Sequence, residues 1–122
     1  MKKSILFIAA FISMLWIAES CSKSNDSVPK TTAITFSCTG INPKFAADVS
    51  PIFTTVCSLS NNCHASGSTN SGGPFTNYTQ VAAKTSNIRA AILSGVMPQS
   101  GSLTQVQINN LICWIDNGVL NN

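Results

Sequence analysis

The clearest hydrophobic period lies near the C-terminus. Ile108, Leu111, Ile112 and Ile115 recur at i, i+3, i+4 and i+7, which is one face of a helix. Thr104 stands where an N-cap belongs, and Gly118 sits just past the end. Trp114 flanks the apolar face at about 100° per residue. Cys113 lies well off that face, beside Val106 one heptad earlier. Upstream, Ile88, Ala91 and Ile92 give Asn87 to Ser94 an apolar stripe, with Ser86 as cap and Gly95 as stop. Val96-Met97-Pro98 follows outside the helix, and Pro98 holds Met97 extended. A third pattern is SPIFTTVC, residues 50–57. Ser50 caps it, Pro51 occupies the first helical position, and Ile52, Phe53 and Val56 share a side. Leading into it, Phe45 and Val49 read as buried and Asp48 as exposed. A short helix is expected over Tyr78 to Lys84. The segment ASGSTNSGGPFTN, with Gly72-Gly73-Pro74 at its tip, is loop. No stretch alternates as a strand does. The pattern predicts an all-α domain of three to five short helices, with the first and last packed together.

The N-terminus follows another logic. Lys2 and Lys3 precede the apolar run ILFIAAFISMLWIA, which is short for a membrane span of about 20 residues and suits a secretory signal peptide over residues 1–20. Cleavage before Cys21 resembles a bacterial lipobox, and the Cys21 thiol would then carry a diacylglycerol. The alternative is an ordinary signal peptide followed by a chance cysteine. Residues 21–37 read as a lipid-anchored tether, rich in Ser, Lys and Asn. Residues 38–122 form the domain. The expected location is the bacterial cell envelope, lipid-anchored at the outer membrane or cell surface, where disulfides persist.

Charge excludes one class of partner. After residue 20, five basic and three acidic residues remain, a net charge of +2. Lys23, Lys30, Lys44, Lys84 and Arg89 are scattered, so no nucleic-acid surface is indicated. A domain of this size has a thin core and calls for a staple, a metal or a cofactor.

The cysteines are the natural source. Of five, Cys21 is assigned to lipid, and the other four allow three pairings. Cys113, off the main apolar stripe, needs cover, and Cys38 in TFSCTG is free to supply it. A Cys38–Cys113 disulfide would tie the N-terminal arm across the last helix and contribute on the order of 4 kcal/mol in the chain-entropy model. Two free buried thiols are the alternative.

Cys57-Ser-Leu-Ser-Asn-Asn-Cys-His64 holds the remaining pair. It ends in Cys-His, as c-type haem attachment sites do, but five residues separate its cysteines where the usual motif has two. Three readings compete: thiols added to haem vinyl groups with His64 on the iron, a local Cys57–Cys63 disulfide, or zinc. Zinc lacks ligands, since a closed site wants four Cys or His and the chain has one histidine. A labile thiol pair acting as a redox sensor is a further possibility. Scarcity favours haem. Once the signal peptide is removed, one histidine, His64, and one methionine, Met97, remain. His and Met are the axial pair of c-type electron carriers.

The order FAADVSPIFTTVC, then Cys63-His64, then IRAAILSGVMPQSGSLTQVQINNLICWIDNG resembles small cytochrome c-like domains of bacterial envelope lipoproteins. The likeness covers about residues 44 to 120. It implies one covalently attached haem c, held by Cys57 and Cys63, with His64 and Met97 as axial iron ligands. It implies a one-electron carrier rather than an enzyme, serving a redox partner protein in the envelope. Ile88, Ile92, Leu111, Ile115 and Trp114 are expected to enclose the haem. The alternative is a haem-free, disulfide-stapled binding or structural module on the cell envelope.

Overall fold

The structure is a computed structural model and describes residues 33–122. The expected signal peptide, Cys21 and residues 22–32 of the expected tether lie outside the described residues. All regular structure among the described residues is helical. The first rod is wound unevenly: a π-helical turn Phe45–Val49, the α-helical turn α1 (Ser50–Ile52), and a second π-helical turn Phe53–Cys57. Pro51 has no N–H to return to the preceding turn, so the regular ladder is broken there. Thr54 Oγ1 and Thr55 Oγ1 donate to the Pro51 carbonyl at 3.0 and 2.7 Å. The rod therefore begins five residues before Ser50, which lies inside it rather than capping it. Asp48, expected to be exposed, is half-buried and accepts from Lys44 N at 2.8 Å.

Three helices follow: α2 (Tyr78–Ala82), α3 (Thr85–Leu93) and α4 (Gln105–Asp116). Asn77 caps α2 by accepting from Gln80 N. Ser86, expected to cap α3, falls within its first turn, and Lys84 stands at the cap position without a side-chain bond. Thr104 caps α4 as expected, and Gln107 reaches back to complete a capping box. Gly118 follows the C-cap at φ 101°, a conformation that favours glycine.

The first and last helices pack together. Phe45 meets Trp114 with ring centroids 5.3 Å apart, and Tyr78 meets Phe45 edge-on at 5.2 Å. Ile108, Leu111 and Ile112 are buried as expected, but Ile115 is only half-buried. Trp114, expected at the flank, is fully buried, and its Nε1 donates to Leu120 O at 2.8 Å. Tyr78 Oη donates to Val119 O, so both polar aromatics are satisfied by the C-terminal tail.

Cys38 and Cys113 form a disulfide with Cα atoms 5.4 Å apart. The arm leading to it is laid against the helices earlier than expected. Residues 33–37, assigned by sequence to the tether, bring Ile34 and Phe36 onto the core. Gln105 Nε2 donates to Thr35 O at 2.9 Å, and Ser37 N donates to Asn109 Oδ1 at 3.2 Å. Arg89 lies over the Phe36 ring at 5.5 Å and pairs with Asp116 at 2.8 Å. Asp116 is thus half of an ion pair at the surface.

Candidate functional site

The second aromatic cluster marks the site. Phe53, on the last turn of the first rod, meets Phe75 edge-on at 5.7 Å. Phe75 in turn stacks on the His64 imidazole at 4.2 Å. His64 is 8% exposed, a buried ring that requires a partner for its polar edge. It has one: Nδ1 lies 2.8 Å from Gly73 O. A carbonyl only accepts, so Nδ1 carries a proton, and in the neutral ring this leaves Nε2 with the lone pair. This is the arrangement by which an outer carbonyl fixes the tautomer of a metal-binding histidine.

The loop 58–75 is wound to present that ring. His64 N donates to Cys57 O at 3.0 Å, and Phe75 N donates to His64 O at 2.8 Å. A Cβ at Gly72 would press on the Phe75 ring at 3.1 Å, which would have to give by a few tenths of an ångström, and would touch His64 Cε1 at 3.7 Å. The Gly72 φ of 105° also disfavours other residues.

A cavity of about 670 Å³ opens beside these residues. That lies within the usual range for cofactor sites, roughly 300–1,000 Å³. Cys57, Cys63, His64 and Met97, the four residues selected by sequence, all line it. They come from the end of the first rod, the following loop and the segment after α3. Phe53, Val56 and Phe75 supply apolar wall from one direction, and Ile88, Ala91 and Ile92 from α3. The polar lining includes the exposed Asn62, Asn70, Asn87 and Gln99, and among the described residues no Asp, Glu, Lys or Arg lines the cavity. Leu111, Ile115 and Trp114, expected around the haem, are not part of the wall. The face of α4 that carries Leu111 and Trp114 packs into the core shared with Phe45.

Cys57 and Cys63 are both half-buried free thiols. Burial, and after it the neighbouring Cys63, push the Cys57 thiol up to about 11. The local disulfide of the haem-free alternative is not formed. Among the described residues, no group of three or more His, Cys, Asp or Glu side chains is placed to hold a metal ion by itself. The cavity offers a donor set of one imidazole nitrogen, one thioether sulfur and two thiols, together with apolar wall, and a haem would find both ligands and attachment points among them.

Sequence reasoning missed Phe53, Phe75 and Gly73 as parts of the site. Phe75 follows a Gly-Gly-Pro run that reads as loop, and nothing in its spacing ties it to His64. The Gly73 contribution is a backbone carbonyl, which no side-chain pattern reveals. No helix among the described residues is long and apolar enough to cross a membrane. No protein-family model matches the chain, and no curated protein or solved structure is detectably similar to it.

Proposed function

We infer that the chain is a cytochrome c-like electron carrier with one covalent haem c, anchored at the bacterial cell envelope through lipidated Cys21. The observation that carries this reading is the meeting of Cys57, Cys63, His64 and Met97 on one cavity. Bound haem supplies a one-electron iron couple. His64, its Nδ1 proton held by Gly73 O, offers Nε2 as the proximal donor. Met97 would offer a thioether sulfur as the second iron ligand, a donor that would raise the potential relative to ligands that donate more strongly. The thiols of Cys57 and Cys63 supply the covalent links. Phe53, Phe75, Ile88 and Ile92 exclude water and favour the less charged, reduced state. His64 and Met97 would together hold the iron and leave it no open position for a substrate, so the reading is a carrier and not an enzyme. Its partner is a redox protein of the envelope.

The haem-free module would draw on a Cys57–Cys63 staple, and both thiols are free here. The Cys38–Cys113 bridge serves either reading. The test is the visible spectrum of the full chain produced with c-type haem maturation. A reduced-state haem band is expected, and Met97→Ala should lower the potential and admit added ligands to the iron. Colourless protein under those conditions refutes the reading. A coloured Met97→Ala variant with unchanged potential and spectrum removes Met97 from the ligand set.

A further inference from the structure

The five residues between Cys57 and Cys63 are gathered into a small hydrogen-bonded turn. Cys63 N and Ala65 N both donate to Ser60 O, at 2.9 and 3.1 Å. His64 N then reaches past this turn to Cys57 O at 3.0 Å. The amide of the histidine is thereby placed on the carbonyl of the first cysteine, despite the length of the intervening loop.

The other side of that amide is held as firmly. Cys63 O accepts from Ser68 Oγ at 2.5 Å and from Asn70 Nδ2 at 3.1 Å. Asn70 Nδ2 also bonds to Asn62 O, and Asn70 N donates to Ser68 Oγ at 3.2 Å. Ser68 and His64 are the two buried side chains of polar type among the described residues. The Ser68 hydroxyl is thus committed in both directions, donating to Cys63 O and accepting from Asn70 N.

A trans peptide is planar, with its C=O and N–H pointing in opposite directions. Fixing the Cys63 carbonyl therefore fixes the aim of the His64 N–H at Cys57 O. The bonds on the two ends of one amide also polarise each other. We propose that Ser68, seconded by Asn70, is the positioning residue that makes the long Cys57–Cys63 spacing compatible with two-point haem attachment. It holds both cysteines and the ligand histidine as one unit, a task that a two-residue spacing performs by itself. This rests on the haem reading above. Each attachment adds a thiol S–H across a vinyl C=C. One S–C and one C–H bond form, the S–H and the π bond are lost, and no external oxidant or reductant takes part.

The experiment maps the links in the full chain produced with c-type haem maturation. Wild type, Ser68→Ala, Ser68→Thr and Asn70→Asp are digested, and the haem peptide is scored for one or two thioether links. Wild type and Ser68→Thr, which keeps the hydroxyl, should carry two. Ser68→Ala and Asn70→Asp, the latter isosteric but without the donor, should lower the doubly linked fraction at least about threefold, since each removes a bond that aligns the site. If Ser68→Ala fails to fold, Asn70→Asp at its exposed position decides. In haem-free protein, the effective concentration of the Cys57–Cys63 pair against glutathione should fall about tenfold in the same variants. Two links at the wild-type proportion in both variants overturn the inference and leave the haem reading intact. So does wild type linked through one cysteine alone. Wild type without haem overturns both.

Discussion

Removing the Cys38–Cys113 bridge tests how the domain holds its N-terminal arm. The cysteines are 75 residues apart, so the bridge closes most of the described chain into a loop. The chain-entropy relation gives about 15 cal/mol/K for that closure, or about 4.5 kcal/mol at 25 °C. Without the bridge, the arm keeps Gln105 Nε2 on Thr35 O and Ser37 N on Asn109 Oδ1. Both bonds are exposed, and each contributes about 1 kcal/mol. The double variant Cys38→Ala/Cys113→Ala also leaves a small void, because Cys113 is fully buried. A loss of about 4 kcal/mol or more is expected, which for a domain of this size lowers the melting temperature by roughly 20 °C. Urea unfolding followed by far-UV circular dichroism measures it against wild type in the same haem state. Amide exchange along residues 34–40 should accelerate most, since that arm then depends on surface bonds. A loss under about 1.5 kcal/mol with an unchanged denaturant slope would refute the reasoning, because loop closure would then contribute far less than the entropy model gives.

Other outcomes follow from the site. Gly72→Ala places a methyl against the Phe75 ring at a φ of 105°. It should cost about 1–2 kcal/mol in backbone strain alone and perturb His64 through the stack, visible as a changed axial-ligand spectrum. The Cys57 thiol, raised from 9.0 to about 11 by burial and then by Cys63, keeps its proton in the folded state after the unfolded chain has lost it. Haem-free protein should therefore lose stability as the pH rises from about 9 to about 11, and Cys57→Ser should flatten that slope in urea titrations. Alkylation of Cys57 should also quicken about tenfold per pH unit below 11, following its thiolate fraction.

The helical class was legible because amphipathic spacing survives in a small domain. Ile108, Leu111 and Ile112 in α4 had no other face to bury, and the Thr104 cap marks the start of that helix. The partnership of Cys38 with Cys113 was legible by elimination, since Cys113 needed cover off the main stripe. Trp114 was misplaced for the same geometric reason. A ring as large as indole reaches around the helix into the Phe45 cluster, beyond what 100° per residue suggests. The start of the first rod was misread because Ser50-Pro51 resembles a helix entry. Winding across Pro51 is sustained here by π-turns, which have no composition of their own. Of the site, the four residues that meet on the cavity, Cys57, Cys63, His64 and Met97, were picked out by the Cys-His adjacency and the scarcity of His and Met. The support behind them was not, because Gly73 O, Cys63 O and Cys57 O are backbone groups brought together by loop closure. Residues 33–37 looked like tether by their polar neighbours, yet Ile34 and Phe36 alternate onto the core.

The most direct test of a haem joined to this chain through Cys57 and Cys63 is the intact mass of the full chain after denaturation, produced with c-type haem maturation. The expected mass is that of the processed, lipid-bearing polypeptide plus one haem, with the haem-bearing peptide spanning Cys57 to His64. A mass matching the polypeptide without haem, with Cys57 and Cys63 recovered as thiols or joined to each other, would contradict it.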